Sequence, residues 1–229
     1  MCTNLFIGVN MSLEELTKKY NKMQTKYGDK NLDAITFGGL SNNPDICFVF
    51  MNPTSKNIAS SKEWTGPKSP WIGTKNIWNL FVQTSLFDTN IYNEIKNKKS
   101  SEWTKDFAIK VYDEVKNNKV YITNLGKCTQ LDARIVPNKV YKEYLNLLEE
   151  EISIVNPKVI ILFGNQVGSV FLEEKISVSE VRKKKFIKEI NGKKYDCYVV
   201  FYPIGNGMFN IHKSIEDINW IKSNIKNEV

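Results

Sequence analysis

Amide and aromatic side chains follow short apolar runs of the sequence, at positions where they could build a binding site. Asn52 comes at the end of the run Ile46–Met51, and Asn124 follows Val120–Thr123. A carboxamide offers two donors and an acceptor side by side, which suits the edge of a nucleobase. Trp71, in a Pro-Trp-Ile-Gly turn, could supply the flat face on which a flipped base stacks. Ordinary turn residues and a core tryptophan are the alternative interpretation.

Four apolar runs, separated by helical patterns, predict the elements that must position these side chains. The runs are Ile46–Met51, Val120–Thr123, Val159–Phe163 and Tyr195–Phe201. Such runs are typical of strands buried on both faces, and their alternation with helices predicts an α/β fold with a mainly parallel sheet. Ligands bind outside the carboxyl ends of such strands. This rule selects the segments Asn52-Pro53-Thr54, Asn124–Cys128, Gly164-Asn165-Gln166 and Tyr202–Gly207.

Residues that favour helix starts precede several stretches with apolar residues at helical spacing. Ser12 and Glu15 form a capping-box pattern. Thr74 and Ser101 can each cap a further helix, and Pro137 is well placed to open another. These helices are expected to cover both faces of the sheet.

The segment Val181–Lys194 combines a predicted hairpin with most of the excess positive charge. Phe186–Ile190 and Tyr195–Phe201 flank an Asn191-Gly192 turn, which is typical of a hairpin. The segment carries seven basic residues against Glu189 alone. A charged run is most often a solvated face, but this one could contact a phosphate backbone. The lysines expected to do so are Lys183, Lys184 and Lys185.

The composition fits a folded chain with a single domain over residues 1–229. Hydrophobic residues make up 41% of the 229 residues, and we find no repeat or linker. No apolar run is long enough to span a membrane, and Met1–Met11 lacks the pattern of a secretory signal. Lys and Arg number 32 against 25 Asp and Glu, and the net charge of +7 permits a polyanionic partner.

The four cysteines predict neither a disulfide nor a metal site. Cys2, Cys47, Cys128 and Cys197 lie far apart, without the spacing of metal ligands. Cys47 and Cys197 lie inside apolar runs and are expected to be buried thiols. We therefore expect a reducing, cytoplasmic compartment and no metal or other cofactor.

Five segments resemble, in order along the chain, motifs of the uracil-DNA glycosylase superfamily. Phe50–Thr54 is similar to the Gly-Met/Ile-Asn-Pro-Gly motif of the single-strand-selective and mismatch-specific branches. Pro70–Gly73 resembles the Pro-Phe-Val-Gly turn of the iron–sulfur branch. Thr123–Cys128 and Pro157–Gly164 resemble the Thr-Asn-Val-Val-Lys-Cys and Pro-Lys-Val-Ile-x-x-Leu-Gly motifs of that branch. Tyr202-Pro203 falls where the superfamily has His-Pro-Ser.

The resemblance implies a three-layer α/β/α sandwich around a central four-stranded, mainly parallel sheet. It also implies a DNA glycosylase that hydrolyses the N-glycosidic bond of uracil or a related modified base flipped out of DNA. DNA containing such a base would be the partner, and we expect a monomer. Two alternatives stay open. One is a superfamily member that binds DNA or a free base without excision, and the other is an enzyme acting on a nucleoside or nucleotide.

The matching motif positions imply roles for five residues around the base. Asn52 would hold the attacking water, and an amide would position this water rather than take its proton. Trp71 would stack on the base and Asn124 would read its amide edge, with Met51 beside them. Tyr202 would lie near a base oxygen and could donate a hydrogen bond to the departing anion.

Residues beyond Tyr202 are candidates for contact with DNA. Met208 or Phe209 resembles the apolar wedge that this superfamily pushes into the base stack, with inward packing as the alternative. His212, the only histidine, is a candidate substitute for the motif histidine or a phosphate contact, and otherwise a solvated helix-cap residue. Lys213 lies at the predicted start of the last helix and is a further candidate.

Three departures from the family motifs bear on activity. Phe50 and Thr54 replace glycines, which we expect to narrow the approach to the ligand. Tyr202 replaces histidine with a phenol that is neutral at working pH, so a base other than uracil or a poor turnover stays open. Cys128 matches one ligand of the iron–sulfur cluster, but Tyr144 stands where the next cysteine is expected, so no cluster is predicted.

Overall fold

Six strands form one sheet whose four inner strands are parallel. The strands are β1 (Phe37–Gly39), β2 (Ile46–Phe50), β3 (Val120–Asn124), β4 (Val159–Phe163), β5 (Phe186–Ile190) and β6 (Lys193–Val200). They are arranged in the order β1-β3-β2-β4-β6-β5, with the two edge strands antiparallel to their neighbours. The computed structural model describes residues 11–227, so Cys2 and the segment examined for a secretory signal lie largely outside the described residues.

Helices cover both faces of this sheet. They are α1 (Leu13–Tyr27), α2 (Asn76–Gln83), α3 (Thr89–Asn97), α4 (Lys105–Asn117), α5 (Asn138–Val155), α6 (Gly164–Phe171), α7 (Val178–Val181) and α8 (Ile211–Asn227). The first core lies between the sheet and α2, α3, α4 and α8, and the second core lies between the sheet and α1, α5, α6 and α7. Within residues 11–227, no helix has both the length and the apolar character needed to cross a lipid bilayer.

The predicted α/β sandwich is confirmed, and its sheet is wider than expected. The four predicted apolar runs form the four inner strands. β5 is the first arm of the predicted hairpin, in which Ile190 pairs with Lys193 across the Asn191-Gly192 turn. Both turn residues have positive φ, at 49° and 78°, as this tight connection requires. β1 was not predicted, because Phe37–Gly39 contains two glycines, which favour a break in a sequence pattern.

The two central strands, β2 and β4, are apolar throughout because each one supplies both cores. In β2, Phe48 and Phe50 pack in the first core, while Cys47 and Val49 pack in the second. All five residues of this strand are buried. Successive side chains of a strand point to opposite faces, so a strand covered on both sides cannot carry a polar face. The chain therefore becomes polar only where the strand ends.

Two of the four predicted helix starts are correct. The Ser12–Glu15 capping box is present, with hydrogen bonds of 2.7 and 3.1 Å, and Pro137 directly precedes α5. The Thr74 hydroxyl instead donates to the carbonyl of Trp71. The cap predicted at Ser101 is also wrong, since the N-cap of α4 is Thr104, three residues further on.

A fully buried ion pair joins the end of β3 to α5. Nζ of Lys127 lies 3.0 Å from Oε2 of Glu151, and neither side chain is exposed to solvent. Lys127 also donates to the Thr123 hydroxyl and the Asn124 carbonyl, each at 2.5 Å. Glu151 accepts a 2.7 Å hydrogen bond from the Tyr20 hydroxyl of α1. Burial lowers the pKa of Lys127, and the neighbouring carboxylate opposes this shift. The network thus connects α1, α5 and the segment after β3.

Glu151→Gln tests the contribution of this network to stability. The substitution leaves the Lys127 ammonium buried without its carboxylate, and breaking such a pair costs about 3–5 kcal/mol. We expect the free energy of unfolding in urea to fall by about that amount. Glu143→Gln is the control, because Glu143 pairs with Lys26 at 2.8 Å on the surface and should contribute less than about 1 kcal/mol. Similar losses in both variants would contradict the prediction.

Candidate functional site

A cavity of about 490 Å³ opens at the carboxyl edge of the four parallel strands. The segment after β2 contributes Asn52 and Trp71 to its wall, and the segment after β6 contributes Tyr202. Ala133, from the segment after β3, completes the wall on another side. Three of the residues selected from the sequence therefore meet at one cavity, although up to 150 positions separate them along the chain.

The side chain of Asn52 is held in one orientation by two hydrogen bonds. The Tyr141 hydroxyl of α5 donates to Oδ1 of Asn52 at 2.6 Å, and Nδ2 of Asn52 donates to the Pro53 carbonyl at 3.1 Å. Burial raises the pKa of Tyr141 well above its usual value, so this hydroxyl stays a protonated donor. One lone pair of Oδ1 and one N–H of Asn52 are left for a ligand or water.

Phe50 forms an aromatic support beneath the cavity. Its ring stacks on Phe163 with centroids 4.3 Å apart, and the rings of Trp71 and Tyr202 meet it edge-on at 4.9 and 6.3 Å. Phe50 is fully buried and does not line the cavity. The ring that replaces glycine therefore lies beneath the cavity and not in its wall, whereas Thr54 lines the cavity, and the effect of either residue on the approach of a ligand stays a prediction.

Trp71 takes part in both the cavity wall and the first core. Its φ is +66°, in the left-handed region that a large side chain rarely adopts, so surrounding contacts must hold the turn. The Tyr112 hydroxyl donates to the Pro70 carbonyl at 2.5 Å, and the Thr74 hydroxyl donates to the Trp71 carbonyl at 2.7 Å. The indole Nε1 is buried and has no hydrogen-bond partner among the described residues.

Asn124 and Met51 do not line the cavity. Asn124 is only 2% exposed, and its Nδ2 has no hydrogen-bond partner among the described residues. It pairs in register with Phe50 on the neighbouring parallel strand, which places its side chain on the same face of the sheet, beside the aromatic support. Met51 packs against the second core, on the other side of the sheet from Trp71, and its carbonyl accepts a hydrogen bond from the amide of Gly126.

Tyr202 presents a neutral phenol to the cavity. Burial raises the pKa of its hydroxyl above the usual value of 10, so the group can donate but carries no charge at neutral pH. The hydroxyl makes no hydrogen bond with the described residues. The backbone at Gly207 lies close to the backbone of Tyr202, since a Cβ at position 207 would lie 1.7 Å from the Tyr202 carbonyl oxygen.

His212 lies outside the cavity wall. It is exposed on the first turn of α8. Lys213, next to it, places its ammonium 5.2 Å from the ring centroid of Phe201. The sequence suggested His212 as a substitute for the motif histidine, but in this structure it does not reach the cavity wall.

Acidic residues offset much of the positive charge of Val181–Lys194, the basic segment. Arg182 lies 2.9 Å from Asp217 and 2.8 Å from Glu216, and Lys183 also contacts Glu216. Hydrogen bonds from these two cations lower the pKa of Glu216 to about 2. Lys185 pairs with Asp196 at 3.0 Å.

The positions of these lysines along the hairpin also differ. Lys184 lies over the ring of Phe186, at the start of β5 and near the carboxyl edge of β6. Lys193 and Lys194 open β6 and therefore lie towards the opposite edge of the sheet. Within the segment Val181–Lys194, the lysines that precede β5 therefore lie towards the edge of the sheet that carries the cavity.

Two lysines that sequence reasoning missed stand at the cavity itself. Lys56 and Lys75 line it, and no acidic residue among positions 11–227 does. Lys75 donates to the Lys96 carbonyl at 2.7 Å, so its charge is not neutralised by a carboxylate. Lys56 makes no ion pair or hydrogen bond with a described residue. Both lie in polar stretches, where nothing in the sequence separates them from other surface lysines.

A family model described as the uracil DNA glycosylase superfamily matches residues 37–211. The chain belongs to the uracil DNA glycosylase superfamily. The matched region contains every residue that lines the cavity, from Asn52 to Gly205. A search of curated proteins found no match to the chain. The cavity of this glycosylase-superfamily protein thus carries a neutral phenol and an amide, with lysines as its charged groups.

Tyr141→Phe tests how firmly Asn52 is held in this superfamily member. Loss of the 2.6 Å hydrogen bond frees the carboxamide to turn and should cost about 1 kcal/mol of unfolding free energy. We expect the Asn52 side-chain amide signals in NMR spectra to become more mobile. Tyr92→Phe is the control, because its hydroxyl makes no hydrogen bond with the described residues. An unchanged Asn52 signal in Tyr141→Phe would contradict the assignment.

Proposed function

We propose that the protein is a DNA glycosylase that hydrolyses the N-glycosidic bond of uracil or a related modified base flipped out of DNA. The observation that carries the proposal is the meeting of Asn52, Trp71 and Tyr202 at one cavity. An amide, an aromatic face and a neutral donor are the groups that an extruded base and an attacking water require. Membership of the superfamily supports the same reaction class.

Asn52 positions the water that attacks the sugar. The Tyr141 hydroxyl occupies one lone pair of Oδ1, and the other can accept a hydrogen bond from the water. An amide oxygen is too weak a base to remove a proton, so its contribution is the orientation of the nucleophile. When the N-glycosidic bond breaks, its electron pair leaves with the base and the sugar becomes positively charged. The water oxygen bonds to the sugar carbon, and the proton that it loses passes to the departing base anion or to solvent.

Neutral donors stabilise the negative charge that develops on the departing base. Tyr202 offers its hydroxyl from the cavity wall, and Trp71 offers a ring face for stacking. Asn124 remains a proposed reader of the base, because its buried Nδ2 lacks a partner among the described residues and such a donor is costly to leave unpaired. A base carbonyl that reaches past the aromatic support would satisfy it.

Lysines at the cavity would hold the phosphate backbone beside the extruded nucleotide. Lys56 and Lys75 are its charged lining residues, and both are exposed. Contacts of this kind give affinity that depends on salt and not on sequence. The wall therefore combines a positive rim with a neutral interior, which suits a polyanion that inserts one uncharged base.

A superfamily member that binds DNA or a base without excision is the second candidate. The observation that favours it is Tyr202, a neutral phenol that cannot offer the charged donor of an imidazolium. His212 is exposed outside the cavity wall, so it does not replace that group in this geometry.

An excision assay separates the two candidates. Oligonucleotides containing uracil, hypoxanthine, xanthine or hydroxymethyluracil, single- and double-stranded, are incubated with the protein, and alkali-labile abasic sites are scored. We expect excision of at least one of these bases and a loss of 100-fold or more, about 3 kcal/mol of activation free energy, in Asn52→Ala. Asn42→Ala is the control, since Asn42 precedes β2 at the opposite end of that strand and should leave the rate unchanged.

The outcomes of this assay are distinct. Salt-sensitive binding without any abasic product would favour the second candidate. No binding of any oligonucleotide at low salt would contradict both, and would leave an enzyme acting on a nucleoside or nucleotide.

Substitution of the cavity lysines tests the phosphate contact. The logarithm of the association constant for an undamaged single-stranded oligonucleotide falls linearly with the logarithm of salt concentration, with a slope of about 0.7 per phosphate contact. We expect Lys56→Ala and Lys75→Ala each to reduce this slope by about 0.7. Lys194→Ala, at the far end of β6, controls for the loss of net charge. An equal change in slope for all three variants would assign the effect to net charge.

A further inference from the structure

The two most exposed large apolar side chains of the described residues lie on two segments beside the cavity. Ile135 is 89% exposed and Phe209 is 85% exposed. Leu131 and Met208, on the same two segments, are 50% and 46% exposed. Apolar side chains this exposed are costly in water when they cluster, and such clusters commonly mark a surface that binds a partner.

The two segments flank the cavity from opposite sides. One follows β3 and the other follows β6, which are the outermost of the four parallel strands. Three strand spacings of about 4.8 Å separate them, which gives about 14 Å. Ala133 of the first segment and Gly205 of the second both line the cavity. The apolar side chains therefore bracket the opening into which a base would enter.

Each of the two segments is joined by a hydrogen bond to a residue in or next to the cavity wall. The Ser55 hydroxyl donates to the Leu131 carbonyl at 2.6 Å, which ties the first segment to the segment that carries Asn52. On the second segment, Sδ of Met208 lies 3.8 Å from Nδ2 of Asn76, a residue that lines the cavity. These contacts attach each segment to a residue on the cavity side while leaving Ile135 exposed.

The charges at the cavity indicate which partner covers these side chains. Lys56 and Lys75 line the cavity, no acidic residue of the described part of the chain lies in its wall, and the net charge of the sequence is +7. A partner must therefore offer negative charge beside flat apolar surfaces. DNA from which one nucleotide is extruded has both, since its phosphates flank a gap between two unstacked bases.

We propose that Leu131 and Ile135 form a second apolar contact with DNA, opposite Met208 and Phe209. The two pairs of side chains cover the base faces on either side of the gap left by the extruded nucleotide. This inference rests on the proposed function for its partner, DNA, but it does not require that the base is excised.

A fluorescence experiment on DNA with an abasic analogue tests the contact. The probe is a duplex that contains tetrahydrofuran in place of one nucleoside, with 2-aminopurine on one side of it or on the other. Unstacking of 2-aminopurine raises its fluorescence. We expect the unaltered protein to raise the signal on both sides, Ile135→Ala to remove most of the rise on one side, and Met208→Ala to remove most of it on the other.

Affinity for the same duplex gives a second measurement. Loss of a buried aliphatic side chain corresponds to about a tenfold weaker complex, which we expect for Ile135→Ala. Ile187→Ala is the matched control, because Ile187 is 52% exposed on β5, an edge strand away from the cavity. Since both isoleucines are exposed, thermal unfolding of the two variants should match that of the unaltered protein.

Each outcome bears on the inference separately from the excision assay. Equal binding by Ile135→Ala and Ile187→Ala overturns the inference and leaves the proposed function standing if excision is observed. Tight binding with the expected fluorescence pattern but no excision supports the inference and removes the proposed reaction. Absence of binding to the duplex overturns the inference. A dimer of the protein that Ile135→Ala dissociates in sedimentation experiments also overturns it, in favour of a second copy of the chain as the partner.

Discussion

The buried ion pair between Lys127 and Glu151 is the constraint on which the structure at the carboxyl edge of the sheet depends. A charged pair removed from water is tolerated only when nearly every donor and acceptor around it is satisfied. Here the ammonium binds the Thr123 hydroxyl and the Asn124 carbonyl, while the carboxylate receives the Tyr20 hydroxyl. The end of β3, α1 and α5 are consequently fixed relative to one another.

This constraint reaches the cavity through α5 and β3. Glu151 and Tyr141 lie on the same helix, so the helix that anchors the ion pair also supplies the hydroxyl that orients Asn52. Asn124, at the end of β3, is held through its backbone, which leaves its side chain free of the network. The sheet and its helices thus fix where the polar groups of the cavity lie, and the loops after the strands carry most of the side chains that line it.

The sequence predicted the inner strands well because burial on both faces leaves a plain apolar signature. It predicted Asn52 and Tyr202 at the cavity because the carboxyl edge of a parallel sheet is a general position for ligands, and it predicted Trp71 from its Pro-Trp-Ile-Gly turn. It missed Tyr141, which occupies a helical position that core packing alone would explain. For the basic segment, the sequence suggested free positive charge, but the acids that pair with Arg182 lie about 35 residues away in the chain. Contacts between distant residues leave no local pattern, and these are the contacts that set orientation and charge.

The assembly of the cavity wall from separate parts of the chain has a consequence for folding. The wall needs the segments after β2, β3 and β6, and β6 lies near the C-terminal end of the described residues. Parallel pairing joins residues far apart in sequence, and such topologies fold slowly because long loops must close first. During synthesis, the chain therefore has no complete cavity until β6 has left the ribosome and joined β4. Any binding by this protein is then a property of the finished sheet, gained and lost with its cooperative folding.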